Sequence, residues 1–277
     1  MYIICVLYSL GNFPEFTRPK NVGSFSLDSH RKYVNDYSEL RYLSMPPETL
    51  TSGTCKVNFD LRRGISTVIE KDEESIKQKM LDDLLRWILQ ERKAEHKNII
   101  DHQHPLRPLL IEFVCYRGLL TLLIGTPYEC QKNWTILATK FQNSIYLWQL
   151  REKKQNDTTA VQKEMSAWGF KFEQFLCASM FNLLITKAQF ILQTILFIGS
   201  PDASPDPDEQ LNTNAEFCCV LKTRIGGLPL LYGAEVDAVT KECQPPFFDL
   251  RNFVELKTNK HIENDRQMAA FKRYIKI

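Results

Sequence analysis

Glu235, Asp237, Glu255 and Lys257 are the residues whose types and spacing suggest chemistry. They fall in two short runs, G-A-E-V-D-A-V and N-F-V-E-L-K-T, separated by a loop carrying Pro245 and Pro246. Both runs are rich in Val, Leu, Phe and Tyr and bounded by turn residues, as strands are. Residues two apart in a strand share a face. That puts Glu235 with Asp237, and Glu255 with Lys257. On neighbouring strands, three carboxylates and one ammonium would crowd a single patch. Like charges opposite one another destabilise a sheet, and burial without a partner would raise their pKa values. A divalent cation with oxygen ligands, Mg²⁺ or Mn²⁺, removes the conflict. The chemistry expected of such a patch is metal-assisted hydrolysis.

One E-x-D or E-x-K on an amphipathic strand is ordinarily its solvated face. Two acid pairs in consecutive apolar strands, the second ending in lysine, carry more weight. An Asp followed by E-x-K on paired strands is the pattern of the PD-(D/E)xK nucleases.

The rest of the chain must position that patch. Its 277 residues are enough for one large domain or two small ones, with 44% hydrophobic and 25% charged residues available for core and surface. A net charge of +2 argues against a basic coat for nucleic acid, so any such binding must come from a local groove. The eight cysteines form no C-x-x-C pair, which speaks against a zinc site. Several lie in apolar runs, as buried thiols do, and this suggests a reducing, intracellular compartment. The apolar residues 1–10 lack a basic leader and a cleavage site and suggest a short strand or an ill-chosen start codon.

Residues 12–45 look irregular, with Asp28 as a helix cap, and 57–61 suggest a strand. Residues 73–96 have the clearest helical period, with Ile76, Met80, Leu84, Trp87 and Ile88 on the buried side. Residues 108–150 suggest an antiparallel meander of four strands, including L-L-T-L-L-I-G, and 151–159 a charged connector. Residues 160–178 suggest a helix burying Trp168, Phe172, Phe175 and Leu176, with Glu173 among the aromatics. Residues 180–199 approach the length of a bilayer span. Lys187, Gln189 and Gln193 interrupt them, so no membrane is expected. A Pro/Asp loop, a strand over 217–224, a turn at Gly226-Gly227 and a helix starting near Asp265 complete the chain. His102 and His104 lie in a polar loop without a nearby third ligand.

Together these pieces resemble the DXO/Rai1 family of RNA 5′-end-processing enzymes. The likeness rests on five segments in the family's order: R-P-K-N-V-G-S-F-S-L-D with L-R-Y; F-V-C-Y-R-G with T-P-Y-E; W-G-F-K-F-E-Q-F; N-T-N-A-E-F-C-C-V; and G-A-E-V-D with V-E-L-K-T. It implies an α+β fold of bent, mixed, mostly antiparallel sheets flanked by helices, as one domain over 1–277. It also implies that Glu173, Glu235, Asp237, Glu255 and the Leu256 carbonyl hold two Mg²⁺ or Mn²⁺ ions. Lys257 would be the active-site lysine. Arg117, between Tyr116 and Gly118, would meet RNA phosphate, with Arg41 and Cys218 as outlying substrate contacts. The implied reaction is hydrolysis at RNA ends bearing a triphosphate, an incomplete cap or an NAD cap, with 5′–3′ degradation, in the nucleus and also the cytoplasm.

Two cations about 4 Å apart can activate water, neutralise phosphate oxygens and stabilise the leaving group. Lys257 would orient the water or stabilise developing charge, and Arg117 offers a two-pronged fork for phosphate.

Three departures qualify the resemblance. The family's active-site glutamine, expected shortly after the helix near Asp265, is not reached by Ile277, so the C-terminal part is expected to be missing. Residues 179–199 look inserted, as a translated intron would. Ser166 and Ala167 stand where the family tends to carry bulkier residues. The alternatives are a catalytically impaired relative that binds RNA or an exoribonuclease partner, and a DNA nuclease of the PD-(D/E)xK type.

Overall fold

The computed structural model describes residues 14–44, 58–71, 80–97, 109–128, 133–150, 159–179, 205–245, 248–258 and 262–269. The strand expected at 1–10, Ile76, His102, His104, the connector 151–158 and the stretch 180–199 lie outside them.

The frame is a seven-stranded sheet. In chain order its strands are β1 (Lys20–Leu27), β2 (Tyr33–Val34), β4 (Phe113–Tyr116), β5 (Thr135–Phe141), β6 (Ser144–Leu150), β8 (Glu216–Ile225) and β9 (Leu228–Glu235). In space the order is β2-β1-β8-β9-β4-β6-β5. β9 and β6 run parallel to β4, and the other pairs are antiparallel. A second sheet, of β3 (Arg41–Leu43), β7 (Cys177–Ser179), β10 (Ala238–Val239) and β11 (Phe253–Val254), has the order β11-β10-β3-β7. The class is therefore α+β with mixed, mostly antiparallel sheets.

The central hairpin β8–β9 turns at Gly226 and Gly227, whose φ angles are 55° and 83°. A two-residue turn needing positive φ twice matches the strand twist and favours glycine. Its strands are apolar on both faces because both faces are covered. Cys218, Val220 and Leu231 pack with Phe25, Val114, Leu84 and Trp87 beneath helix α1 (Asp82–Lys97). Phe217, Cys219, Leu221 and Tyr232 pack on the other side with Leu40, Tyr42, Leu119 and Val239. All five described cysteines are buried free thiols.

Several expectations are overturned. L-L-T-L-L-I-G forms helix α2 (Arg117–Gly125), not a strand. Its leucines do not alternate, and Leu119, Leu120 and Leu122 together meet the second core. The meander is accordingly absent: β5 and β6 form a hairpin, while β4 lies parallel to β6. Asp28 caps a turn rather than a helix, accepting from the N–H groups of His30 (2.9 Å) and Lys32 (2.8 Å). The stretch read as irregular holds the eight-residue β1. Residues 58–61 are loop and turn, from which Phe59 stacks on Phe175 at 4.6 Å. Helix α3 (Ala160–Leu176) stops earlier than expected and runs straight into β7. Met80, read as core, is 47% exposed, while Leu84, Trp87 and Ile88 are buried. On α3 it is Ala167, Lys171 and Leu176 that are buried, with Trp168, Phe172 and Phe175 half-buried.

Candidate active site

The acids gather where the chain leaves one sheet for the other. Glu235 is the last residue of β9, opposite Cys218. The next N–H, of Val236, donates to the Phe217 carbonyl at 3.0 Å. Asp237 then occupies the step between β9 and β10. The two acids are thus not neighbours on one continuous strand, as alternation alone implies. Asp237 is fixed by hydrogen bonds instead: its Oδ2 accepts from the Leu256 N–H at 2.7 Å and from Lys257 Nζ at 3.5 Å. Pairing of Ala238 with Val254 brings those two residues alongside it.

Glu173 arrives from the last turn of α3. That helix begins with a reciprocal cap, Thr159 and Gln162 each accepting from the other's backbone N–H. Its final turns are tied to the Pro/Asp loop. The buried Lys171 ammonium donates to the Pro207 carbonyl at 2.6 Å, and Gln174 Nε2 to the Glu209 carbonyl at 2.8 Å. Arg41 Nη1 lies 3.9 Å from Glu173 Oε2. Glu173, Glu235 and Asp237 line one small pocket, together with Arg41, Phe170 and Glu216.

Glu255 is turned elsewhere. It lies 2.7 Å from Lys257 Nζ and accepts from both Arg117 terminal nitrogens, at 3.1 and 3.4 Å. Arg117 is the first residue of α2, directly after β4, which delivers it to the same end of the sheet as Glu235. Lys257 Nζ also donates to the Leu256 carbonyl, at 3.1 Å.

The charges record this arrangement. Burial, reinforced by Asp237, lifts the Glu173 carboxyl to about 7, with Arg41 opposing. Glu235 is raised by burial first and Glu216 next. On Glu255, burial is outweighed by hydrogen bonds from Lys257 and Arg117, which hold it below the usual carboxylate range. Lys257 is desolvated, yet Glu255 and Asp237 raise it overall.

Beside the acid pocket runs a groove of about 560 Å³, lined by Tyr116, Arg117, Gly118 and Cys218 and sharing Glu216 and Glu235 with it. Gly233 lets the Tyr116 ring approach β9 closely, since a Cβ there would sit 2.8 Å from that ring. Cys218 is only 4% exposed at the groove wall. A larger cavity, about 920 Å³, lies between Arg18, Tyr37 and Phe248 and touches none of these acids.

Glu216, Arg31 and Lys71 join the site without having been singled out from the sequence. Glu216 lies 3.1 Å from Arg31 Nη1 and contacts Lys71 Nζ. Strand alternation held the signal: Glu216 stands two residues before Cys218, on the same face of an otherwise apolar run.

Carboxylate oxygens suit hard divalent cations in kind. Glu173 and Glu235 are raised chiefly by burial and further by neighbouring carboxylates, Asp237 and Glu216, with Arg41, Lys71 and Arg31 opposing. The fit is incomplete in placement, because among the described residues no group of three His, Cys, Asp or Glu side chains is close enough to hold a metal ion. Glu255 is engaged with Arg117 and Lys257.

A mixed sheet ending in an acidic step, with a lysine shortly after the adjoining strand β11, defines a nuclease-like protein. Residues 17–277 match the family described as RAI1 like PD-(D/E)XK nuclease, and the chain belongs to it. The chain is 36% identical over 275 residues to "Decapping and exoribonuclease protein" of Bos taurus, and likewise to that of Homo sapiens. In each case the match covers 97% of this chain and 60% of the relative, so the chain spans about 60% of the length of these curated relatives. Among solved structures, Candida albicans Rai1 in complex with pU5 and Mn²⁺ superposes with a TM-score of 0.67 at 18% identity, over 95% of this chain and 64% of that one. Schizosaccharomyces pombe Rai1 in complex with 3′-FADP gives 0.60 at 21%, over 96% and 67%. At those identities the likeness is one of fold.

Proposed function

We propose that the protein is a divalent-metal-dependent hydrolase of RNA 5′ ends. Its substrates would carry a 5′-triphosphate, an incomplete cap or an NAD cap, with 5′–3′ degradation of the exposed RNA as a further activity in mRNA quality control. The observation that carries this reading is the convergence of Glu173, Glu235 and Asp237 on one pocket that opens beside Arg117 and Lys257. The names of the curated relatives support it, as does the RNA-bound, Mn²⁺-bound state of the Candida relative.

In this reading Glu173, Glu235, Asp237, Glu255 and the Leu256 carbonyl would hold two Mg²⁺ or Mn²⁺ ions. Bound there, the ions would supply water activation and neutralisation of phosphate oxygens. Arg117 takes a phosphate in its guanidinium fork and releases Glu255 as it does so. Lys257, anchored by Asp237, keeps one ammonium at the scissile phosphate, where charge develops in the transition state. Tyr116 and Gly118 shape the groove around Arg117, and Cys218 closes its wall. Arg41, the other outlying contact, restrains Glu173 and faces the same pocket. The compartment would be the nucleus, and the cytoplasm as well.

A second reading, a catalytically impaired relative that binds RNA or an exoribonuclease partner, is favoured by one observation: Glu255 faces Arg117 and Lys257 rather than the other acids. Incubation of the full chain with 5′-triphosphate RNA and Mn²⁺ or Mg²⁺ separates the two. Pyrophosphate release, abolished by Asp237→Ala, is expected. Release that survives Asp237→Ala excludes these acids as the site, and RNA binding without any turnover favours the second reading.

A further inference from the structure

The acid pocket and the groove meet at Glu216, and two cations hold that residue. Its carboxylate lies 3.1 Å from Arg31 Nη1 and contacts Lys71 Nζ. The side chains of Glu216, Arg31 and Lys71 are only 9%, 15% and 20% exposed. Their charges are therefore screened far less than those of a surface pair.

The cluster is held from several sides. Lys71 donates its N–H to Thr213 Oγ1 at 3.0 Å, and its ammonium sits 5.5 Å from the centre of the Phe170 ring. Arg31 also donates to the Asn214 carbonyl at 3.3 Å. Asp83, 5% exposed, lines the groove with Arg31 and Glu216 and acts on Arg31 through its charge. The groove thus lines Arg31 with three carboxylates, Glu216, Asp83 and Glu235, while Lys71 holds Glu216 from outside the lining, and Arg117, 44% exposed, stands apart from that buried set.

We propose that Glu216 is a specificity-determining residue: it keeps Arg31 and Lys71 neutralised, so that the buried part of the groove accepts a 5′ end of low charge in preference to one bearing extra phosphates. The inference rests on the reading of the groove as the RNA site and refines which ends it takes. A phosphate entering there must displace a carboxylate already bound to Arg31, and it meets further repulsive carboxylates at Asp83 and Glu235. Replacing Glu216 by the isosteric glutamine leaves the shape and adds one net positive charge. At about 10 Å and an effective dielectric of about 20, that is worth roughly tenfold in affinity for each added phosphate charge.

The test is fluorescence anisotropy of the full chain in EDTA, with labelled oligoribonucleotides carrying a 5′-hydroxyl, 5′-monophosphate or 5′-triphosphate. In Glu216→Gln the ratio of triphosphate to hydroxyl affinity should rise by roughly tenfold or more. In the double variant Glu216→Gln/Lys71→Met, which restores the net charge, it should fall back towards wild type. An unchanged ratio in the single variant overturns the proposal. So does a ratio that stays raised in the double variant, because the effect is then not one of charge. If Glu216→Gln does not fold, Lys71→Met alone should lower the ratio, and no change overturns the proposal. Arg117→Ala tests the underlying reading separately: it should weaken binding of all three oligonucleotides, and equal binding removes RNA from the groove whatever Glu216 does.

Discussion

The β8–β9 hairpin and the step that follows it differ in almost every property that makes a backbone rigid. The hairpin pairs eight successive residues from Cys218–Glu235 to Ile225–Leu228 and is apolar on both faces. The step at Val236 and Asp237 leads into a two-residue strand that pairs β11 at only two positions. The first region is held by a long buried ladder; in the second, Asp237 is fixed by bonds from the Leu256 N–H and Lys257 before the chain re-enters the core at Ala238 and Val239. The acids sit at the boundary between them. A long, buried hairpin can carry Glu235 into a place where its charge is unfavourable, because losing that charge would not release the strand.

Breaking the comparison is easiest from the hairpin side. Phe25 is fully buried against β8 in the core under α1. Phe25→Ala should cost about 3–5 kcal/mol in urea unfolding, from lost transfer energy plus a cavity. A loss below about 1 kcal/mol would mean that this core does not set the scaffold's stability. Next in size is Gly233→Val. Its Cβ would overlap the Tyr116 ring, so about 1–3 kcal/mol of overpacking strain is expected. Because Tyr116 lines the groove, RNA affinity should fall with it, in the same anisotropy measurement. Unchanged affinity with lowered stability would separate Tyr116 from the substrate path.

The two regions were also unequally legible in the sequence. The hairpin could be read locally: a double glycine between apolar runs admits few conformations, and helix α1 showed its 3.6-residue period at Leu84, Trp87 and Ile88. The L-L-T-L-L-I-G segment could not be read this way. A short apolar run has no period, and the helix it forms follows β4 directly, where that interior strand leaves the sheet. The strand β1 was missed because Pro19, Asn21 and Gly23 weaken its signal, while its pairing with β8 is a contact made across nearly two hundred residues. At the site, Asp237 and Glu255 were read as members of continuous strands. Asp237 occupies a gap between two strands, and Glu255 follows the end of β11. The side-chain bonds that hold them involve residues distant in sequence, such as Arg117 with Glu255. Glu216 was passed over because a single glutamate opening an apolar strand looks like an edge residue until Arg31 and Lys71 are brought to it.

The finest test lies in Glu173, which borders the step, because its replacement should act in opposite directions without and with metal. Its side chain is 14% exposed, and its ionised form is opposed by burial and by Asp237. At pH 8 in EDTA, then, the charge on Glu173 works against the folded state. Glu173→Gln should stabilise the metal-free chain by about 1 kcal/mol, since it removes a buried charge while keeping the side chain's shape. Mn²⁺ should raise the melting temperature of the wild type by mass action on the folded form and do so much less in the variant. The pair of melting curves, with and without Mn²⁺, therefore has a crossing pattern as its signature: the variant ahead in EDTA, the wild type catching up or passing it in metal. A variant less stable than wild type in EDTA would mean that Arg41 compensates Glu173 fully. The acids would then be an ordinary ion-paired surface, with no strain left for a cation to relieve.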